Sequence, residues 1–266
     1  NFKPSLLRPE YFASKFLRAN EKIKSDVENF QIKIKESIDY IDTLPSHIKI
    51  DQIAPEVVLN SNIFTNSVKV WRYNTRGDYW VYNFKTNNLK KIGKQMSASS
   101  LMFAKFSPDE NNVAFVSKEK TDSGVRNSST SVNIYIENLS SGEVKKLTSS
   151  NGTNKLINGT FDWVYEEEFG CRDGFIFNSD GSKIAFWQID ANQVRDFYMI
   201  NNTDSIYSFT IPVEYPKVGE DLSPARIGVI DLNDGETMWI DIPGESNKFY
   251  LPRMTWVPQT NNLMIQ

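Results

Sequence analysis

The chain has 266 residues, of which 39% are hydrophobic and 13% aromatic, and a net charge of −3. That mild acidity gives no electrostatic case for nucleic acid or an anionic membrane, and no apolar run approaches the roughly 20 residues of a spanning helix. One cysteine, Cys171, excludes an intrachain disulfide framework, and one histidine, His47, leaves a two-imidazole zinc site incomplete within the chain and reads as a solvated helix-end residue rather than a triad member.

Taken in chain order, the spacing first predicts a helix over residues 9–44. Ile23, Val27, Phe30, Ile34, Ile38 and Ile41 share one helical face, Pro9 suits the first turn, and Leu44-Pro45-Ser46 ends it. Nothing in it suggests chemistry, so residues 1–50 are expected to form a helical segment of unknown origin. After Pro55 the period changes to two, and residues 51–266 are expected to form a mainly β domain. Phe64–Val70 and Tyr79–Phe84 read as strands on either side of a turn-rich link, Asn74-Thr75-Arg76-Gly77-Asp78.

Two phrases then recur. FAKFSPDENNVAFVS (103–117) is echoed by GFIFNSDGSKIAFWQ (174–188) and, more loosely, by PRMTWVPQTNNLMIQ (252–266). Each has the outline of a strand, a polar turn and a second strand. Alternating with them are DYWVYNFKTNNLKKIG (78–93), VNIYIENLSSGEVKKLT (132–148) and ARIGVIDLNDGETMWID (225–241). Four-stranded meanders repeated at long spacing predict a partial β-propeller of about three to four blades, made of antiparallel strands. A β-sandwich would explain the alternation but not the recurring phrase. Insertions fall at 118–130, 157–172 and 192–224, and the last strand-like run stops at Gln266, so further blades are expected beyond it.

The second insertion holds the densest chemistry, Asp162-Trp163-Val164-Tyr165-Glu166-Glu167-Glu168. On a strand, Glu167 and Glu168 would face opposite ways, whereas on a helical turn they stand about 100° apart and can reach one point. Two close carboxylates favour a cation, and a primary ammonium with its three donors suits them. A divalent metal is the competing ligand, although no calcium-loop ladder surrounds the site, and a solvated acidic turn is the plain alternative. Arg172 and Asp173, just beyond, are expected to pair with each other or brace the insertion. Ser107 and Ser179 belong to turns, and Asn127, Asn138, Asn158 and Asn201 head the Asn-x-Ser/Thr pattern.

The Asp162–Glu168 phrase resembles the double-glutamate motif of the dipeptidyl peptidase IV family of serine peptidases. Val68-Lys69-Val70-Trp71-Arg72 is similar to that family's arginine-bearing strand, and Val213-Glu214-Tyr215-Pro216-Lys217-Val218-Gly219 to its Tyr-Pro-Lys-x-Gly segment. The resemblance runs over about residues 55–266. It implies a propeller joined to an α/β-hydrolase domain that removes dipeptides, or in some relatives tripeptides, from free amino termini. Glu167 and Glu168 would bind the substrate ammonium and Arg72 a substrate carbonyl. The resemblance implies no cofactor or metal, and an exported, for example periplasmic, location. The expected partners are peptides with a free amino terminus, a C-terminal hydrolase domain beyond this chain, and a second copy in a homodimer. No Gly-x-Ser-x-Gly elbow occurs, so this chain alone is expected not to cleave peptides. A non-catalytic propeller serving as an interaction module is the alternative.

Overall fold

A computed structural model describes residues 60–70, 72–83, 86–120, 130–151 and 154–266. They belong to one compact unit, Leu59–Gln266. The helix expected over 9–44, His47 and the boundary near residue 50 lie outside the described residues, as does Asn127.

The meanders follow the recurring phrases. Strands β1 (Asn60–Val70), β2 (Tyr73–Asn83) and β3 (Asn88–Lys91) form the first antiparallel sheet. Next comes a four-stranded meander of β4 (Leu101–Phe106), β5 (Asn112–Lys120), β6 (Thr130–Asn138) and β7 (Val144–Lys146). The short β8 (Leu156–Asn158) leads to a single helix among the described residues, α1 (Trp163–Phe169). Strands β9 (Phe175–Phe177) and β10 (Lys183–Asp190) open the third sheet. Its chain then leaves in a projecting hairpin, β11 (Asp196–Asn201) and β12 (Phe209–Glu214), before β13 (Ala225–Asp231) and β14 (Thr237–Trp239) complete it. A fourth sheet begins with β15 (Met254–Trp256) and β16 (Leu263–Ile265). The sheet does not close on itself, which is the geometry of a partial propeller.

Period-two alternation explains the stacking. Along β5, Val113 and Phe115 enter the core with Val81 and Ile92 of the preceding blade and Leu101 of β4, while Ala114 and Val116 enter the core with Phe175, Ile184 and Phe186 of the next. Strand β10 divides likewise, with Ile184 and Phe186 on that side and Ala185, Trp187 and Ile189 in a third core. A strand stretch buried on both faces reads as a continuous apolar run, as at Val113–Val116 of β5 and Ile184–Trp187 of β10.

The first hairpin departs from expectation. The described turn residue is Arg72, and Asn74–Asp78 lies inside β2, paired with a bulged β1. Gly77 is not a turn glycine: a Cβ there would sit 2.3 Å from the Phe64 ring, so its role is to let that ring lie on the strand. The third insertion supplies the projecting hairpin, which exposes Tyr198, Ile200 and Tyr207.

Candidate functional site

Helix α1 is short and closed at both ends by its own sequence. Asp162 is the N-cap, in extended backbone, and its carboxylate accepts from the Tyr165 N–H at 3.0 Å and from the Ser223 hydroxyl at 2.7 Å. Burial pushes the Asp162 carboxyl above its ordinary pKa, and these hydrogen bonds pull it back. Gly170 ends the helix at φ 66, a left-handed conformation that costs glycine little. Asp162→Ala is expected to cost about 1–2 kcal/mol, read as a lower denaturant midpoint, with Asp162→Asn retaining most of it.

What aims the glutamates is an aromatic anchor at helical spacing. Phe161, Tyr165 and Phe169 pack in succession, with ring centroids 5.3 and 5.7 Å apart. Tyr165 is fully buried, and its hydroxyl accepts from the Leu251 N–H at 3.0 Å while Trp187 donates its indole N–H to the Leu251 carbonyl at 2.8 Å. With Tyr165 turned inward, the next residue stays within the packed side and the two after it swing outward at about 100° per step. Glu166 is accordingly buried, Glu167 half-buried and Glu168 exposed.

The three acids have three environments. Glu166 is 8% exposed, and one of its carboxylate oxygens, Oε1, is buried without a hydrogen-bond partner. Burial, offset by Arg172 and reinforced by Glu167, raises its pKa from 4.5 to about 7. Glu167 receives Arg72, whose Nε lies 2.9 Å from Oε1 and 2.7 Å from Oε2. The arginine side chain is 73% exposed and the glutamate's 12%, so the pair sits at a solvent boundary. Glu168 has no ion-pair partner among the described residues.

Thus segments expected to work together do meet. Arg72 and Glu167 are 95 residues apart in sequence, and Tyr215 from the third matched segment stacks on Trp163 at 4.4 Å. The Arg172–Asp173 pair does not form. Asp173 takes Lys105 at 2.6 Å, and the Arg172 guanidinium lies 3.7 Å from the centre of the Tyr73 ring, beside Arg72. Arg172 therefore braces the arginine-bearing turn. Sequence reasoning missed Ser223, Tyr73 and Tyr215 as supports, since each acts across a distance that local spacing does not encode. Cys171 is free and buried in the core around Tyr165. Asn158 is 0% exposed with its amide bonded, so that Asn-x-Thr site is structural.

The arrangement offers one engaged carboxylate, one exposed carboxylate and an arginine at the same rim, a set suited to an ammonium and a carbonyl held side by side. Among the described residues, no group of three or more His, Cys, Asp or Glu side chains is placed to hold a metal ion. No described helix is long and apolar enough to cross a membrane.

Comparison with known proteins bears on the family and the fold. A family model described as the dipeptidyl peptidase IV (DPP IV) N-terminal region matches residues 59–266. Dipeptidyl aminopeptidase B of Saccharomyces cerevisiae is 30% identical over 208 residues, covering 76% of this chain and 23% of the yeast protein. The crystal structure of Porphyromonas gingivalis dipeptidyl peptidase 4 aligns with a TM-score of 0.65 and 26% identity, over 77% of this chain and 27% of that one. The chain thus spans about a quarter of the length of these relatives.

Proposed function

The chain belongs to the dipeptidyl peptidase IV family, whose N-terminal region it carries, and from that premise we propose that it is the substrate-binding propeller of a serine exopeptidase acting on free amino termini. Glu167 and Glu168 hold the substrate ammonium, Arg72 a substrate carbonyl, and cleavage occurs on a hydrolase domain outside this chain.

The observation that carries the proposal is the Arg72–Glu167 contact at the exposed rim of α1. An ion pair with one strongly exposed partner is worth only about 0–1 kcal/mol, so an arriving ammonium can share or displace it cheaply. The ammonium's three donors then meet the two glutamates, and Arg72 is released toward the adjacent carbonyl. Anchoring the terminus at a set distance from a nucleophile decides which bond is cut. Glu166, turned inward, takes no part in the contact.

The test compares a free-amino-terminal dipeptide amide with its N-acetylated form, using the full-length protein. Cleavage of the free form by at least about 100-fold in kcat/KM is expected, since each charge-assisted contact contributes about 1.5–3 kcal/mol. Equal turnover of the two would remove the anchoring role, and no turnover of either would favour the interaction module.

A further inference from the structure

We propose a second site, in the cavity behind α1, that binds a phosphate-class oxyanion between Lys69 and Arg76 of the β1–β2 hairpin and Lys118 of β5. The cavity, of about 480 Å³, lies among β1, β2, β5, β8, the hairpin β11–β12 and the inner side of α1. Its charges are unevenly satisfied. Lys155 is held by Asp196 at 2.8 Å and Glu214 at 3.8 Å. On the helix side, Asp162 is occupied by Ser223 and the Tyr165 N–H.

Lys69, Arg76 and Lys118 have no ion-pair partner among the described residues. The Nε of Arg76 is buried without an acceptor, and Arg76 stands close enough to Lys118 to depress its pKa further once burial has done so. The lining holds four cations and four acids. Asp196 and Glu214 engage Lys155, Asp162 is occupied by its own hydrogen bonds, and Lys69, Arg76 and Lys118 are left without an ion-pair partner of their own among the described residues. Arg76 and Lys118, both partly buried, destabilise one another unless an anion arrives, and an oxyanion supplies acceptors for both as well as for the ammonium of Lys69 at the cavity's exposed edge. Glu166, more than nine-tenths buried with an unpartnered Oε1, lines the same cavity from α1. Largely protonated below about pH 7, it adds a hydrogen-bond donor rather than a repelling charge.

The site is separate from the Arg72–Glu167 rim, neither residue of which lines the cavity, so its test does not depend on the exopeptidase reading. Isothermal titration of the full-length protein with inorganic phosphate, at an ionic strength held constant with sodium chloride, is expected to show saturable single-site binding. Arg76→Gln/Lys118→Gln should weaken that binding tenfold or more, whereas Glu167→Gln should leave it unchanged. In phosphate-free buffer the double variant should melt no lower than the parent, because repulsion has been removed, and Lys118→Gln alone serves if the double variant does not fold. Equal binding by parent and variant, or a phosphate response no greater than that to chloride or succinate, overturns the proposal.

Discussion

Replacing Glu167 or Glu168 with glutamine in the full-length protein is expected to lower kcat/KM for a free-amino-terminal dipeptide substrate about 100-fold. Glutamine keeps the size of the side chain and one acceptor oxygen but removes the charge, and a charge-assisted hydrogen bond contributes about 1.5–3 kcal/mol, or roughly 10- to 150-fold. The two variants differ in a second respect. Glu167→Gln also removes the ion pair with Arg72, whereas Glu168→Gln leaves it in place. The first should therefore change how the substrate carbonyl is held as well as the ammonium, and combining it with Arg72→Ala should be less than additive. Any slow turnover of an N-acetylated substrate should be indifferent to Glu168→Gln. Parent-like turnover of the free substrate by both variants would show that the glutamates do not anchor it.

Glu166→Gln is expected to remove a pH-dependent penalty of about 3 kcal/mol. The buried carboxyl titrates near 7 in the folded chain against 4.5 ordinarily, so the folded state holds its proton more tightly than the unfolded state does. Its unfavourable effect is absent below pH 4.5, grows between 4.5 and about 7, and is complete above that. Urea unfolding at about pH 5 and about pH 8 should show the parent losing stability relative to the variant as pH rises. The comparison rests on the change between the two pH values, since a buried glutamine has its own cost of desolvation. Parallel profiles would mean that water reaches Glu166 freely. Together the two predictions divide the acidic run, with one member governing stability and two governing substrate.

Much of the blade architecture was legible because a propeller repeats its local instructions. The Ser-Pro-Asp and Ser-Asp-Gly turns fall between β4 and β5 and between β9 and β10, and the loosest copy falls on β15 and β16. The misreading of Gly77 has a definite cause. Glycine beside Asn, Thr and Asp has the composition of a turn, but here it makes room for the Phe64 ring across the hairpin. Composition cannot separate those two uses.

The sequence by itself determined the elements and their local chemistry: alternating strands, apolar on both faces at β5 and β10, and a short helix opened by Asp162 and closed by Gly170. Such features depend on neighbours a few residues away, and the chain states those directly. Only the tertiary structure decided which acid would be buried, which half-buried and paired, and which exposed. The burial of Tyr165 against Trp187 and Leu251 sets the rotation of α1, and that rotation turns Glu166 inward and Glu167 toward Arg72. Three consecutive glutamates are chemically identical in the sequence. Their difference is one of dielectric and distance, and both come from the stacking of blades that bring together residues 95 positions apart.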